Sequence, residues 1–103
     1  MKIIKELADM IDDEIEGARH YVKKALAYKV DHRDLADTLY SLSLEEMGHI
    51  TRLHEEVTRL IELERQNNGE PPATMMAIYE YVHGKHMDRV KEITEYQSLY
   101  RET

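Results

Sequence analysis

The chain has no cysteine, tryptophan or phenylalanine, and only 4 Gly and 2 Pro among its 103 residues. Without cysteine there can be no disulfide framework, thiolate zinc centre or rubredoxin-type iron site, so any metal must be held by oxygen and imidazole. Scarce glycine and proline leave few places to turn. No apolar run approaches the length of a membrane span. Lys2, Lys5, Glu6, Asp9, Asp12, Asp13 and Glu14 interrupt the stretch where a signal peptide would carry its apolar centre, and a cytoplasmic protein with no membrane partner is expected. Positive charge is also in deficit. Against 21 Asp plus Glu stand 14 Lys plus Arg, a formal charge of −7 that repels nucleic acid and anionic lipid and favours cations as partners.

What is present is a helical alphabet of Glu, Leu, Ile, Ala, Lys, Arg, Met and Tyr, which predicts an all-α chain. One domain spanning residues 1–103 is the natural size. A chain this short buries only a modest share of its apolar surface, so association with further copies would stabilise it.

The punctuation divides the chain into three. From about residue 2 to 29, Ile4, Leu7, Ile11, Ala18, Val22 and Ala25 recur at the spacing of one helix face. Val30, Asp31 and His32 break the pattern, and Asp31 is suited to cap the next helix. That helix, about 32–66, carries the stripe Leu35, Leu39, Leu42, Glu46, His49, Leu53, Val57 and Leu60, alternating threes and fours as in a bundle. Residues 67–73 form the linker, with Gly69 at the helix end and Pro71 and Pro72 preventing continuation. Thr74 is placed to cap a third helix, about 75–100, whose face is Tyr79, Val82, His86, Val90 and Ile93. The expected architecture is an antiparallel hairpin plus a third helix. A helix of about 35 residues extends roughly 50 Å, and its stripe asks for a second chain.

Two positions of that stripe are not apolar. Glu46 falls within about 20 degrees of Leu39 and Leu53 at 100 degrees per residue, and His49 is one turn along. With 14 Glu and 6 His in the chain, roughly one E-x-x-H spacing arises by chance, so position rather than motif is the signal. A carboxylate buried without a partner costs several kcal/mol unless a cation or strong donors compensate. Glu14 is in the same situation, among Leu7, Ile11, Ala18, Tyr21 and Ala25. Gly17 and Gly48 give up helix propensity and are expected to leave room around the site. Glu14, Glu46 and His49 are therefore the expected metal ligands. The competing reading is a glutamate at the edge of each apolar face, reaching solvent along its stem.

Other candidates have plainer explanations. Tyr21 is a core residue with a polar tip, or a hydrogen-bond donor to a ligand carboxylate. His86, central to its stripe, is expected to be a hydrogen-bonded core histidine. Glu80 and His83 repeat the E-x-x-H spacing, but Glu80 is rotated away from the apolar face. Asp13, Glu16 and His20 share the outer side of the first helix, as a solvated face or a secondary metal site.

The run Glu14-Ile15-Glu16-Gly17-Ala18-Arg19-His20-Tyr21, followed by Leu44-Glu45-Glu46-Met47-Gly48-His49, resembles the ferritin-like superfamily. In that family a first-helix Glu, with a small residue three on and Tyr seven on, precedes an E-x-x-H on the second helix by about 30 residues. One such set in a short chain is similar to the encapsulated-ferritin type, in which two chains pair to complete a four-helix bundle. The resemblance implies a di-iron centre with Glu14, Glu46 and His49 supplied twice, Glu46 bridging, and Tyr21 near the irons. It also puts Asp13, Glu16 and His20 where that type has an outer metal-entry site, His20 standing in for an aromatic residue. Residues 95–103 do not look like an encapsulin-targeting peptide, which leaves an encapsulin shell without support.

The function so implied is a homodimeric or larger ferroxidase, oxidising Fe(II) to Fe(III), with Glu14, Glu46, His49 and Tyr21 at the catalytic centre. Two alternatives belong to other classes. One is a non-catalytic oligomer bridged by manganese, zinc or calcium. The other is a helical interaction module using Met75, Met76 and Tyr79.

Overall fold

The computed structural model describes residues 2–102; Met1 and Thr103, the ends of the expected domain, lie outside the described residues. It is all helical: α1 spans Lys2–Tyr28, α2 Arg33–Asn68 and α3 Ala73–Glu102, with no strand among the described residues. The molecule is a rod of 56 × 18 × 18 Å.

The turns differ in detail from the sequence expectation. Residue 32, not Asp31, precedes α2, and His32 caps through its backbone, its carbonyl accepting from Ala36 N–H (2.9 Å), with no side-chain cap bond. Its own N–H donates to Tyr28 O at 2.8 Å, so backbone bonds on both sides of the tight turn already do what an Asp cap would do. At the other connection α2 runs on to Asn68 and ends at Gly69, whose φ of 81° is open to glycine at little cost. α3 starts at Ala73, so Thr74 lies inside its first turn rather than at its cap, and the Pro72 carbonyl accepts from Met76 N–H. Proline is compatible with this position because the N–H groups at a helix start have no intrahelical acceptor.

α1 and α2 form an antiparallel hairpin, and α3 runs back beside them, parallel to α1. The main core joins Ile4, Ile11, Ile15, Ala18 and Val22 of α1 to Ile50, Val57 and Ile61 of α2 and Ile93 of α3. A smaller cluster, Ala25, Ala36 and Tyr100, closes the end near the hairpin turn. Ser43 replaces an apolar residue in this seam: its hydroxyl donates to Ala18 O (2.7 Å) and accepts from Gln97 Nε2 (2.9 Å), tying all three helices together where none of these side chains is open to water.

The buried face of α2 is not centred on the expected stripe. Ala36, Ser43, Ile50, Val57 and Ile61 are buried, Val57 alone of them belonging to the expected stripe, and their centre lies roughly 80 degrees round the helix from the Leu35, Leu42, Leu53, Leu60 line at 100 degrees per residue. Leu35 is 46% exposed, and Leu42, Leu53 and Leu60 are half-buried. The leucines form an open edge beside the core. α1 has a matching edge, where Ile3 and Met10 are half exposed and Tyr28 is 37% exposed. Around α1, Asp12, Glu16 and Arg19 meet α3, while Glu14 lies about 200 degrees from either Asp12 or Glu16. The third helix thus covers one side of the hairpin and leaves the edge with Glu14 uncovered.

Candidate metal centre

Glu14 is presented by the middle of α1 and Glu46 and His49 by the middle of α2, opposite one another because the hairpin is antiparallel. Their ligand atoms lie within 4.8 Å of one another, and among the described residues no other group of three or more acidic or histidine side chains converges in this way. His49 Nδ1 is 3.3 Å from Glu14 Oε2 and 3.5 Å from Glu46 Oε1. Neither carboxylate has a lysine or arginine ion pair among the described residues, whereas Asp12, Glu16 and Glu92 on the α1–α3 seam each pair with an arginine. The glutamates are partly sheltered and His49 is half exposed; Glu14 and His49 line a shallow concavity with Arg52, Leu53, Glu55, Glu56 and Arg59.

Two adjacent carboxyls without a cation solve their repulsion by sharing a proton. The hydrogen bond from Glu46, with help from His49 and against partial burial, holds Glu14 below the ordinary carboxylate range. The same bond with Glu14, then burial and the Glu14 charge, raise Glu46 against the opposing pull of His49. Of the pair, Glu46 is the group that takes up a proton more readily in the metal-free chain. Replacing that proton by a metal ion would relieve the repulsion and let both groups ionise.

The glycine expectations divide. A Cβ on Gly17 would lie 3.2 Å from Glu46 Oε2, closer than nearly all such contacts, so the glycine makes room for the carboxylate. A Cβ on Gly48 would meet nothing within 4 Å, and within one chain it accommodates nothing.

Tyr21 is half-buried on the open edge of α1, two turns or roughly 10 Å along the axis from Glu14, and makes no hydrogen bond with any of the three ligands among the described residues. The chain alone does not bring it into the centre. Nor does it assemble Asp13, Glu16 and His20. Glu16 is ion-paired with Arg89 of α3, Asp13 and His20 are exposed, and the hollow that Glu16 and His20 share is lined by Arg19, Lys23 and Lys24. Asp13 does not share that hollow, so the three side chains do not converge.

His86 is 4% exposed and its Nε2 donates to Asp12 Oδ1 at 2.8 Å, a satisfied core histidine. Glu80 is exposed and does not join His83. Two arrangements were not legible beforehand: Asp12, which accepts from both His86 and Arg89, and the stacking of His54 on His83. Each joins side chains on different helices, so no spacing within one helix announces it. Among the described residues, no helix is long and apolar enough to cross a membrane. Comparison of the chain with protein-family models, curated proteins and solved structures finds no match.

Proposed function

We propose that two copies of the chain pair across the open edge of the α1–α2 hairpin, and that the two sets of Glu14, Glu46 and His49 together bind two Fe(II) ions and oxidise them to Fe(III). The observation that carries this reading is the convergence of two carboxylates and an imidazole, uncompensated by any lysine or arginine ion pair, on the side of the hairpin that α3 leaves uncovered. The apolar rims of the same edge, Ile3 and Met10 on α1 and Leu35 on α2, are the kind of surface a second copy would bury. The completed assembly is a ferritin-like four-helix bundle with α3 on its outside.

Paired chains contribute four carboxylates from two Glu each, a charge of −4 beside the +4 of two Fe(II), so the bundle interior gains its metals without a net charge. Mixed oxygen and nitrogen donors suit iron. Each Fe(II) gives up one electron, and dioxygen takes the two electrons with two protons to form hydrogen peroxide. Metal entry favours the ionised form of Glu46, the carboxyl that is raised when no metal is bound. Glu14 supplies charge, and His49 Nδ1, directed at both carboxylates, turns to present a lone pair. Tyr21 belongs to the pairing edge in this reading.

The same donors would hold manganese, zinc or calcium in a purely structural bridge, which is the competing reading. Oxygen uptake separates the two. Fe(II) added without oxygen, followed by air, is expected to give rapid uptake with the wild type and slow, uncatalysed uptake with the Glu46→Ala, His49→Ala double variant, both proteins remaining helical. Equal and slow uptake by both would leave a structural metal site.

A further inference from the structure

The rings of His54 on α2 and His83 on α3 lie nearly parallel, at 11° with centroids 4.4 Å apart, and Tyr79 extends the stack at 6.0 Å from His83. The stack joins the first half of α3 to α2, beside the packing of Met76 and Tyr79 on the main core. Neutral imidazoles stack readily; two imidazolium ions at that separation repel. We propose that the His54–His83 stack is a proton-operated latch, closed when both rings are neutral and opened by acid, so that the first half of α3 swings away from the hairpin.

The charged surroundings favour this outcome. The groups whose charge acts on His83 are His54 across the interface and His86 one turn along α3, both positive when protonated; with burial as the larger effect, they hold the His83 imidazole below its ordinary range. From α1, Asp12 already accepts from His86 and Arg89. Asp9 and Lys5 lie further along the same groove, opposite Tyr79. Asp12 is thus already committed to two donors, and neither Asp9 on α1 nor Glu80 on α3, both exposed, pairs with either ring of the stack among the described residues. The second half of α3 is held independently, by Gln97 to Ser43 and Tyr100 to Asp37, so opening is confined to the first half. Histidine is the side chain whose charge changes near neutrality, which sets the range in which such a latch works.

The test is hydrogen exchange of the full chain at about pH 7.5 and about pH 5, corrected for intrinsic rates and compared with α1 amides near Ile15 and Val22 in the same molecule. In the wild type, protection of amides 76–86 is expected to fall at least tenfold on acidification while amides 93–100 keep theirs. In a His54→Phe, His83→Phe variant, which keeps stacked rings but has no proton to gain, the fall is expected to vanish. His83→Phe alone serves if the double variant does not fold, and it is expected to lose most of the acid effect because His54 then meets no second cation. An unchanged wild-type α3, or an equal loss in the variants, overturns the latch.

Discussion

Gly17 and Glu46 are matched across the α1–α2 interface: the Cβ that glycine lacks would sit 3.2 Å from the Glu46 carboxylate. Glu46 is the far end of a flexible side chain, so an added methyl displaces the carboxylate rather than the backbone. Gly17→Ala is therefore expected to gain up to about 1 kcal/mol of helix stability, seen as a higher urea midpoint, while weakening metal binding measured by calorimetry. A variant that loses stability and keeps its metal affinity contradicts the placement of Glu46.

The opposite shifts of Glu46 and Glu14 give a pH dependence of definite sign. Because Glu46 is raised mainly by its hydrogen bond with Glu14, its contribution to metal-free stability is present below its unfolded pKa and lost as pH rises through the raised value. Glu14, lowered by the same bond, contributes above its unfolded pKa and loses that contribution as pH falls through the lowered value. Glu46→Gln mimics the protonated partner at every pH. It is expected to leave the metal-free protein at least as stable as wild type at neutral pH and to abolish metal binding. In the wild type, metal affinity rises with pH through the raised Glu46 value, with proton release detectable by calorimetry in buffers of different ionisation enthalpy.

Met10, 50% exposed on the edge of α1 one turn before Glu14, separates folding from pairing. As a surface change, Met10→Glu is expected to alter the stability of the single chain by no more than about 0.5 kcal/mol. It places a charge in the proposed pairing face and is expected to leave the chain monomeric in sedimentation. A variant that pairs like wild type points to a different interface.

The position of α3 has its own check. Ser43→Ala strands the Gln97 amide, buried and bonded to the Ser43 hydroxyl, at an expected cost of about 1–3 kcal/mol. Chemical denaturation measures it, and metal binding per folded chain is expected to stay unchanged.

Three helices were legible because Val30 to His32 and Gly69 to Pro72 are the only breaks in an otherwise helical alphabet. The third-helix face through His86 and Ile93 was legible from periodicity. The buried face of α2 was not. Leu35, Leu42, Leu53 and Leu60 outweigh Ala36 and Ser43 on any hydrophobicity scale, yet the small residues are the ones against α1. Hydrophobicity reports an apolar arc, not which part of it the same chain covers. Ser43 reads as polar, and only its bonds to Ala18 and Gln97 make it a core residue. The convergence of Glu14, Glu46 and His49 was legible because each broke an apolar pattern, whereas Glu16 was open to a metal reading only until Arg89, 73 residues away, came to meet it.

The most direct measurement is a titration of Fe(II) into the chain without oxygen, with the mass in solution followed through the same titration. The account predicts saturation at one iron per chain in a species of two chains or a multiple of two, and no iron uptake by Glu46→Ala. Iron bound by a lone chain, or a paired species that takes up none, would contradict a centre built from two copies of Glu14, Glu46 and His49.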